Sequence, residues 1–274
     1  MTNGVLCDII TMYRFVNRTE SEVLGVNKSE YSKTLGILGG LGPMSGVYFC
    51  ELLTRHTSAE CDQDHLNFIL SSRADTPDRT AFITGESQEN PVNVMCGEVQ
   101  RLINAGAEII AIPCNTAHYF YNAISETASV PVINIIKQTA LFCRRSGVGK
   151  VGILATEGTV RSGAYSEVFD MAGIEALVPT EDGQKIISRI IYDEIKRGQA
   201  PSMEDFMRVA NSLLERGCER IILGCTELSL LKRDGALDSD VFIDSLEVLA
   251  YSAIRLCGKE PVGFDERLMN FKVC

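Results

Sequence analysis

The chain of 274 residues is 45% hydrophobic and 23% charged, enough for one large domain or two medium ones around a sizeable core. Its formal net charge of −10 excludes nucleic acid and anionic membrane as partners, because phosphates reward clustered Lys and Arg; a small anion fits only where a few cations are focused in a cleft. No run approaches the roughly 18 apolar residues of a membrane span, and the ten cysteines form neither a Cys-x-x-Cys pair nor a zinc-knuckle spacing, so no metal is expected.

Residues 1–33 carry no strand signal, and their one periodic patch, Ile9, Met12, Tyr13 and Val16, predicts at most a short amphipathic helix in an N-terminal extension. The first residues do not form a secretory signal, since Asp8 interrupts the apolar run, so a cytoplasmic, reducing setting with free thiols is expected. From Thr34 strands and helices alternate, the signature of mostly parallel sheets covered on both faces. Thr34 to Gly39 reads as a strand, followed by a Gly-Gly-Leu-Gly-Pro turn and a helix from Met44 to about Ala59. Leu66 to Ser71 is the next strand; Val92, Met95, Val99, Leu102 and Ile103 fall at helical spacing before Gly106 closes that helix. The strand Ile109 to Pro113 delivers Cys114, and a strand Val130 to Asn134 leads into a helix ending near Ser146.

The pattern then restarts. Val151-Gly-Ile-Leu-Ala repeats Leu35-Gly-Ile-Leu-Gly, and Gly158 to Tyr165 stands where the first glycine turn stood. Strand Ile174 to Val178, helices Gln184 to Lys196 and Met203 to Arg216, a strand leading to Cys225, strand Val241 to Ile243 and helix Ser245 to Cys257 complete the chain. The predicted fold class is α/β: two pseudo-symmetric doubly wound parallel-sheet domains, 34–135 and 136–239, with 240–274 returning to the first and the site in the cleft between them.

Two stretches carry the chemistry. Gly106-Ala-Glu-Ile-Ile-Ala-Ile-Pro-Cys114-Asn-Thr and Gly217-Cys-Glu-Arg-Ile-Ile-Leu-Gly-Cys225-Thr-Glu each place a cysteine eight residues after a glycine, at the carboxyl end of a strand, where open parallel sheets bind ligands. A single cysteine ending a buried strand is ordinarily a small core residue; two at equivalent positions, each followed by small polar residues, point to a pair of reactive thiols. Asn115-Thr116 and Thr226-Glu227 open the next helices, whose N-termini are expected to hold a carboxylate and to lower the thiol pKa. Arg79 reads as a loop residue on the same ligand-binding side, and Lys196 as a helix-terminal cation complementing the dipole. His118, one helical turn after Cys114, has Ser229 at the matching place of the second half and is assigned a supporting position. The Gly39-Gly40-Leu41-Gly42 turn fits neither dinucleotide nor Walker fingerprints, and its glycines are read as letting the backbone approach a small ligand.

At these residues the chain resembles the aspartate/glutamate racemase family, most closely its cofactor-independent aspartate racemases. The likeness rests on Gly-Gly-Leu-Gly-Pro-Met (Gly39 to Met44), Pro-Asp-Arg-Thr (Pro77 to Thr80), Pro-Cys-Asn-Thr-Ala-His (Pro113 to His118), Pro-Thr-Glu-Asp (Pro179 to Asp182) and Gly-Cys-Thr-Glu (Gly224 to Glu227). It implies two pseudo-symmetric α/β domains, a homodimer, no cofactor, and Cys114 and Cys225 as acid/base thiols. It further implies Arg79 and Lys196 on the substrate's side-chain carboxylate, with Met44, Asn115, Thr116, Thr226 and Glu227 as further substrate-binding residues. Glu227 stands where cell-wall glutamate racemases carry a histidine, which places aspartate before glutamate as the expected substrate. The alternatives are a maleate isomerase or decarboxylase of the same superfamily, or a non-catalytic thiol or metabolite sensor.

Overall fold

The computed structural model describes residues 32–235, 237, 240–271 and 273; the predicted N-terminal helix at Ile9 to Val16 lies outside them. The first half runs β1 (Leu35–Gly39), α1 (Pro43–Arg55), β2 (Phe68–Ser72), α2 (Arg79–Thr84), α3 (Val92–Asn104), β3 (Ile109–Ala111), α4 (Tyr121–Thr127), β4 (Val132–Ile133) and α5 (Ile135–Arg145). The second runs β5 (Lys150–Leu154), α6 (Glu157–Arg161), α7 (Ala164–Met171), β6 (Glu175–Leu177), α8 (Glu181–Arg189), α9 (Met203–Glu215), β7 (Arg220–Leu223), α10 (Ser229–Arg233) and β8 (Phe242–Asp244). Helices α11 (Ser245–Leu256) and α12 (Glu266–Met269) follow. The strands form two four-stranded parallel sheets, ordered β2-β1-β3-β4 and β6-β5-β7-β8, so the sequence repeat is a repeat of topology.

The repeated glycines have a common steric cause. A Cβ at Gly36 in β1 would lie 2.7 Å from both Ala107 Cβ and Ile110 Cδ1, and one at Gly152 in β5 would lie 2.8 Å from Leu213 Cδ1 and Ile221 Cδ1. In each half a helix is pressed onto the strand beside the cysteine-bearing one, and only glycine admits that approach. The same helices end alike. Gly106 (φ 102°) and Gly217 (φ 89°) take left-handed backbone while Ala107 and Cys218 donate their N–H back to Leu102 and Leu213, closing Schellman caps.

One hydrophobic cluster is shared by the two halves: Leu35, Ile37, Phe49 and Leu53 join Ile136, Phe142, Val151, Ile153 and Phe169. Strand β8 completes the second sheet, and α11 lies against α1 and α5. Asn134 caps α5 and Asp244 caps α11, each side chain accepting a backbone N–H at the equivalent point of its half, worth about 1 kcal/mol apiece. Local boundaries differ from the sequence reading in two informative places. Arg79, expected in a loop, opens α2 (Arg79–Thr84), because Asp78 accepts the N–H of Ala81 at 2.8 Å and caps it. The helix expected over 184–196 starts at Glu181 under a Thr180 cap, then changes winding into a π turn at Ile190–Glu194 and a 3₁₀ turn at Ile195–Arg197. Such a π segment widens the helix and re-aims the side chains after it. Among the described residues no helix is long and apolar enough to cross a membrane.

Candidate active site

The carboxyl ends of β3 and β7 converge on one cavity lined by Leu41, Asp78, Arg79, Thr80, Cys114, Asn115, Thr116, Thr156, Tyr192, Lys196, Cys225, Thr226 and Glu227. Both thiols are buried and both cysteines are unpaired. The two cysteine loops touch directly: Thr226 donates its hydroxyl to the Pro113 carbonyl at 3.2 Å.

Further contacts hold the two halves together around the cavity. Asn115 donates to Ser245 Oγ at 3.0 Å and accepts the Tyr165 hydroxyl at 2.7 Å. Thr116, Thr156 and Thr159 form a triangle of hydroxyls 2.8–3.0 Å apart. Tyr192, carried by the π turn, donates to Thr80 Oγ1 at 2.8 Å. Asn115, Thr116 and Thr226 thus line the cavity while committing their side-chain polar groups to protein partners.

The cations are held differently. Arg79, at the first position of α2, is buried and donates to the carbonyls of Thr76 (3.1 Å), Pro77 (3.0 Å) and Leu41 (2.8 Å), while its Nε is a buried donor with no acceptor among the described residues. Lys196, with 27% of its side chain exposed, pairs with Glu227 Oε1 at 3.0 Å and lies 5.4 Å from the centre of the Tyr192 ring. Burial works against the charge of Lys196, but the Glu227 carboxylate, joined by Cys225 and Cys114, outweighs it and holds the ammonium pKa above its ordinary value.

Glu227 accepts the Cys225 thiol on its other oxygen, Sγ to Oε2 3.0 Å. It fits only because residue 42 is glycine: a Cβ there would sit 2.2 Å from Glu227 Oε1.

The expected lowering of the thiol pKa by the backbone N–H groups after each cysteine is present, at Ala117 and Glu227, but burial outweighs it. Burial pushes Cys114 up, with Arg79 opposing, and burial followed by the Glu227 carboxylate pushes Cys225 well up, with Lys196 opposing. The backbone contribution is the smaller one. Cys114 is followed by a 3₁₀ turn (Thr116–Phe120) and Cys225 by turns before the short α10, so neither faces the axis of a long helix. His118 supports Cys114 from behind: Nδ1 lies 2.9 Å from the Cys114 carbonyl and Nε2 accepts the Ile135 N–H at 3.2 Å. Burial lowers its pKa to about 4, so it is a neutral strut and not a cation.

Met44, expected at the substrate, is not brought to the cavity. It is 56% exposed on the solvent stripe of α1 with Val47, because that helix turns Ser45, Tyr48, Phe49 and Leu52 inward. Sequence reasoning passed over Leu41, Asp78, Thr80, Thr156 and Tyr192. Thr80 was within signal, adjoining Arg79 in the same quoted motif; Tyr192 was not, because the π turn that aims it has no sequence mark. Among the described residues no group of three or more His, Cys, Asp or Glu is arranged to hold a metal.

A sequence profile described as Asp/Glu/hydantoin racemase matches residues 38–253. The chain is 25% identical over 226 residues to the broad-specificity amino-acid racemase RacX of Bacillus subtilis, covering 80% of this chain and 96% of that protein. It is 29% identical over 175 residues to a glutamate racemase of Corynebacterium glutamicum, covering 60% of this chain and 61% of that one. The solved structure of an aspartate racemase from Picrophilus torridus superposes with a TM-score of 0.75 at 30% identity, covering 87% of this chain and all of the other.

Proposed function

The chain belongs to the Asp/Glu/hydantoin racemase family and is an amino-acid racemase, and from that premise we propose that it interconverts the enantiomers of a small acidic amino acid, aspartate first and glutamate second, through two cysteine thiols and without a cofactor. The observation that carries this reading is the convergence of Cys114 and Cys225 on one small cavity that also holds Arg79 and Lys196. One cysteine, as thiolate, removes the Cα proton while the other, as thiol, returns a proton to the opposite face; the roles exchange for the other enantiomer. The unsatisfied Nε of Arg79 and the ammonium of Lys196 are the donors a side-chain carboxylate meets. Backbone N–H groups in the turns after each cysteine stabilise the charge that builds on the α-carboxylate.

Incubation with L-aspartate, L-glutamate and several neutral amino acids, without added cofactor and with a chelator present, should yield D-isomer from the acidic substrates by chiral chromatography. In deuterated water, Cys114→Ser and Cys225→Ser should each lose racemisation by at least about 10³-fold, since a hydroxyl is too weak an acid to exchange roles with a thiolate. The two variants should label opposite enantiomers at Cα. A variant that racemises at near wild-type rate would remove that cysteine from the chemistry. The reading carries with it a homodimer, to which the exposed Met44, Val47 and Tyr119 offer apolar surface and which light scattering tests.

A further inference from the structure

The two cysteines are equivalent in the repeat, but their neighbours are not. Two residues after Cys114 stands Thr116, whose hydroxyl is tied to Thr156 and Thr159; two residues after Cys225 stands Glu227, whose carboxylate touches the Cys225 sulfur. We propose that Glu227 is a positioning residue that holds Cys225 as the protonated thiol in the substrate-free protein, making Cys114 the thiol of the pair that ionises more readily and takes the first proton from substrate. This inference rests on the two-thiol reading above and adds to it a resting asymmetry that the internal symmetry conceals.

Three observations support it. A sulfur 3.0 Å from a carboxylate oxygen must donate a proton to it, because a thiolate there would face a second anion. Lys196 at 3.0 Å from the other oxygen compensates the carboxylate and keeps it oriented, and Gly42 leaves the space in which it lies. Burial disfavours a thiolate at Cys114 as it does at Cys225, but the strongest charge acting on Cys114 is of the opposite kind: Arg79 favours the thiolate, while Glu227 and Lys196 act on it more weakly and in opposite directions. Tyr192 and Tyr165 also face the pair, and burial raises both phenols, so both enter as neutral dipoles.

The test is limited alkylation of the full-length, substrate-free protein with iodoacetamide, the two sites being quantified by peptide mass spectrometry. In the wild type Cys114 should be modified at least tenfold faster than Cys225, since only the thiolate attacks. Glu227→Gln places an amide that can donate to a Cys225 thiolate, and should reduce that ratio tenfold or more. Gly42→Ala pushes the carboxylate away by sterics alone and should move the ratio in the same direction. Equal or inverted labelling in the wild type, as expected if Glu227 instead withdraws the Cys225 proton, would overturn the proposal. So would a ratio unmoved in both variants while overall labelling or Tm changes, which is the mark of a merely structural carboxylate. Because labelling is read without substrate, its failure is separable from failure of the two-thiol chemistry, which the Cys→Ser racemisation assay reads.

Discussion

Thr226 donates its hydroxyl hydrogen to the carbonyl oxygen of Pro113 at 3.2 Å, so the residue after one cysteine is bonded to the residue before the other. Sequence symmetry makes Cys114 and Cys225 equivalent, and this bond is one of the contacts that join their two strand ends at the cavity. Thr226→Val keeps the shape and removes the donor, leaving the Pro113 carbonyl buried without it. Stability should fall by about 1–3 kcal/mol in urea denaturation, and kcat should fall more than KM rises. An unchanged kcat would mean that the bond does not govern the spacing of the thiols.

Arg79 and Lys196 should separate in their effects, although both face the cavity. Among the described residues Lys196 has Glu227 and the Tyr192 ring as partners, so Lys196→Met should raise the KM for aspartate by roughly 10–100-fold with a smaller loss of Tm than a change at Arg79. Arg79 also holds the carbonyls of Thr76, Pro77 and Leu41. Arg79→Met should therefore raise KM and lower Tm by about 5 °C or more, given roughly 2–4 °C per kcal/mol at this chain length. Kinetics unaltered in both variants would take them out of the site.

Asp244 supplies a pH dependence of stability. It is buried at the N-terminus of α11, accepting Ser229 Oγ at 2.7 Å and the Leu246 N–H at 2.8 Å on one oxygen, while the other has no hydrogen-bond partner among the described residues. Burial first, and then the nearby Glu247, push its pKa to about 7, with Lys232 opposing. Between the ordinary value of 3.8 and about 7 the folded protein keeps a proton that the unfolded chain has released. Its contribution is therefore fully present at low pH and is lost as pH rises through that window. From pH 5 to pH 8 this group alone should remove roughly 2 kcal/mol, and Asp244→Asn should flatten that slope in urea titrations. A variant with the same slope as wild type would show that Asp244 is ionised throughout.

What was legible in the amino-acid sequence is what depends on local spacing. The alternation of strands and helices, the doubled Leu-Gly-Ile-Leu and Val-Gly-Ile-Leu strands, and the caps at Gly106 and Gly217 are set by residues within a few positions of one another, and a repeated local pattern gives a repeated fold. The positions of Cys114 and Cys225 at equivalent strand ends follow from the same regularity. Even where local reading erred, as at the α2 helix, the signal was nearby, in the capping Asp78.

Tertiary structure decided everything that joins distant segments. Arg79 became a buried strut because the Leu41 carbonyl, 38 residues away in sequence, turns toward it. Met44, in a motif that promised contact with substrate, went to solvent because the rotation of α1 is fixed by packing Phe49 and Leu52. The line from Cys225 through Glu227 to Lys196, in the space left by Gly42, unites three separate stretches of chain. Such contacts leave no periodicity or spacing to read, because they are set by how two sheets close on each other and not by the backbone conformation of any one segment.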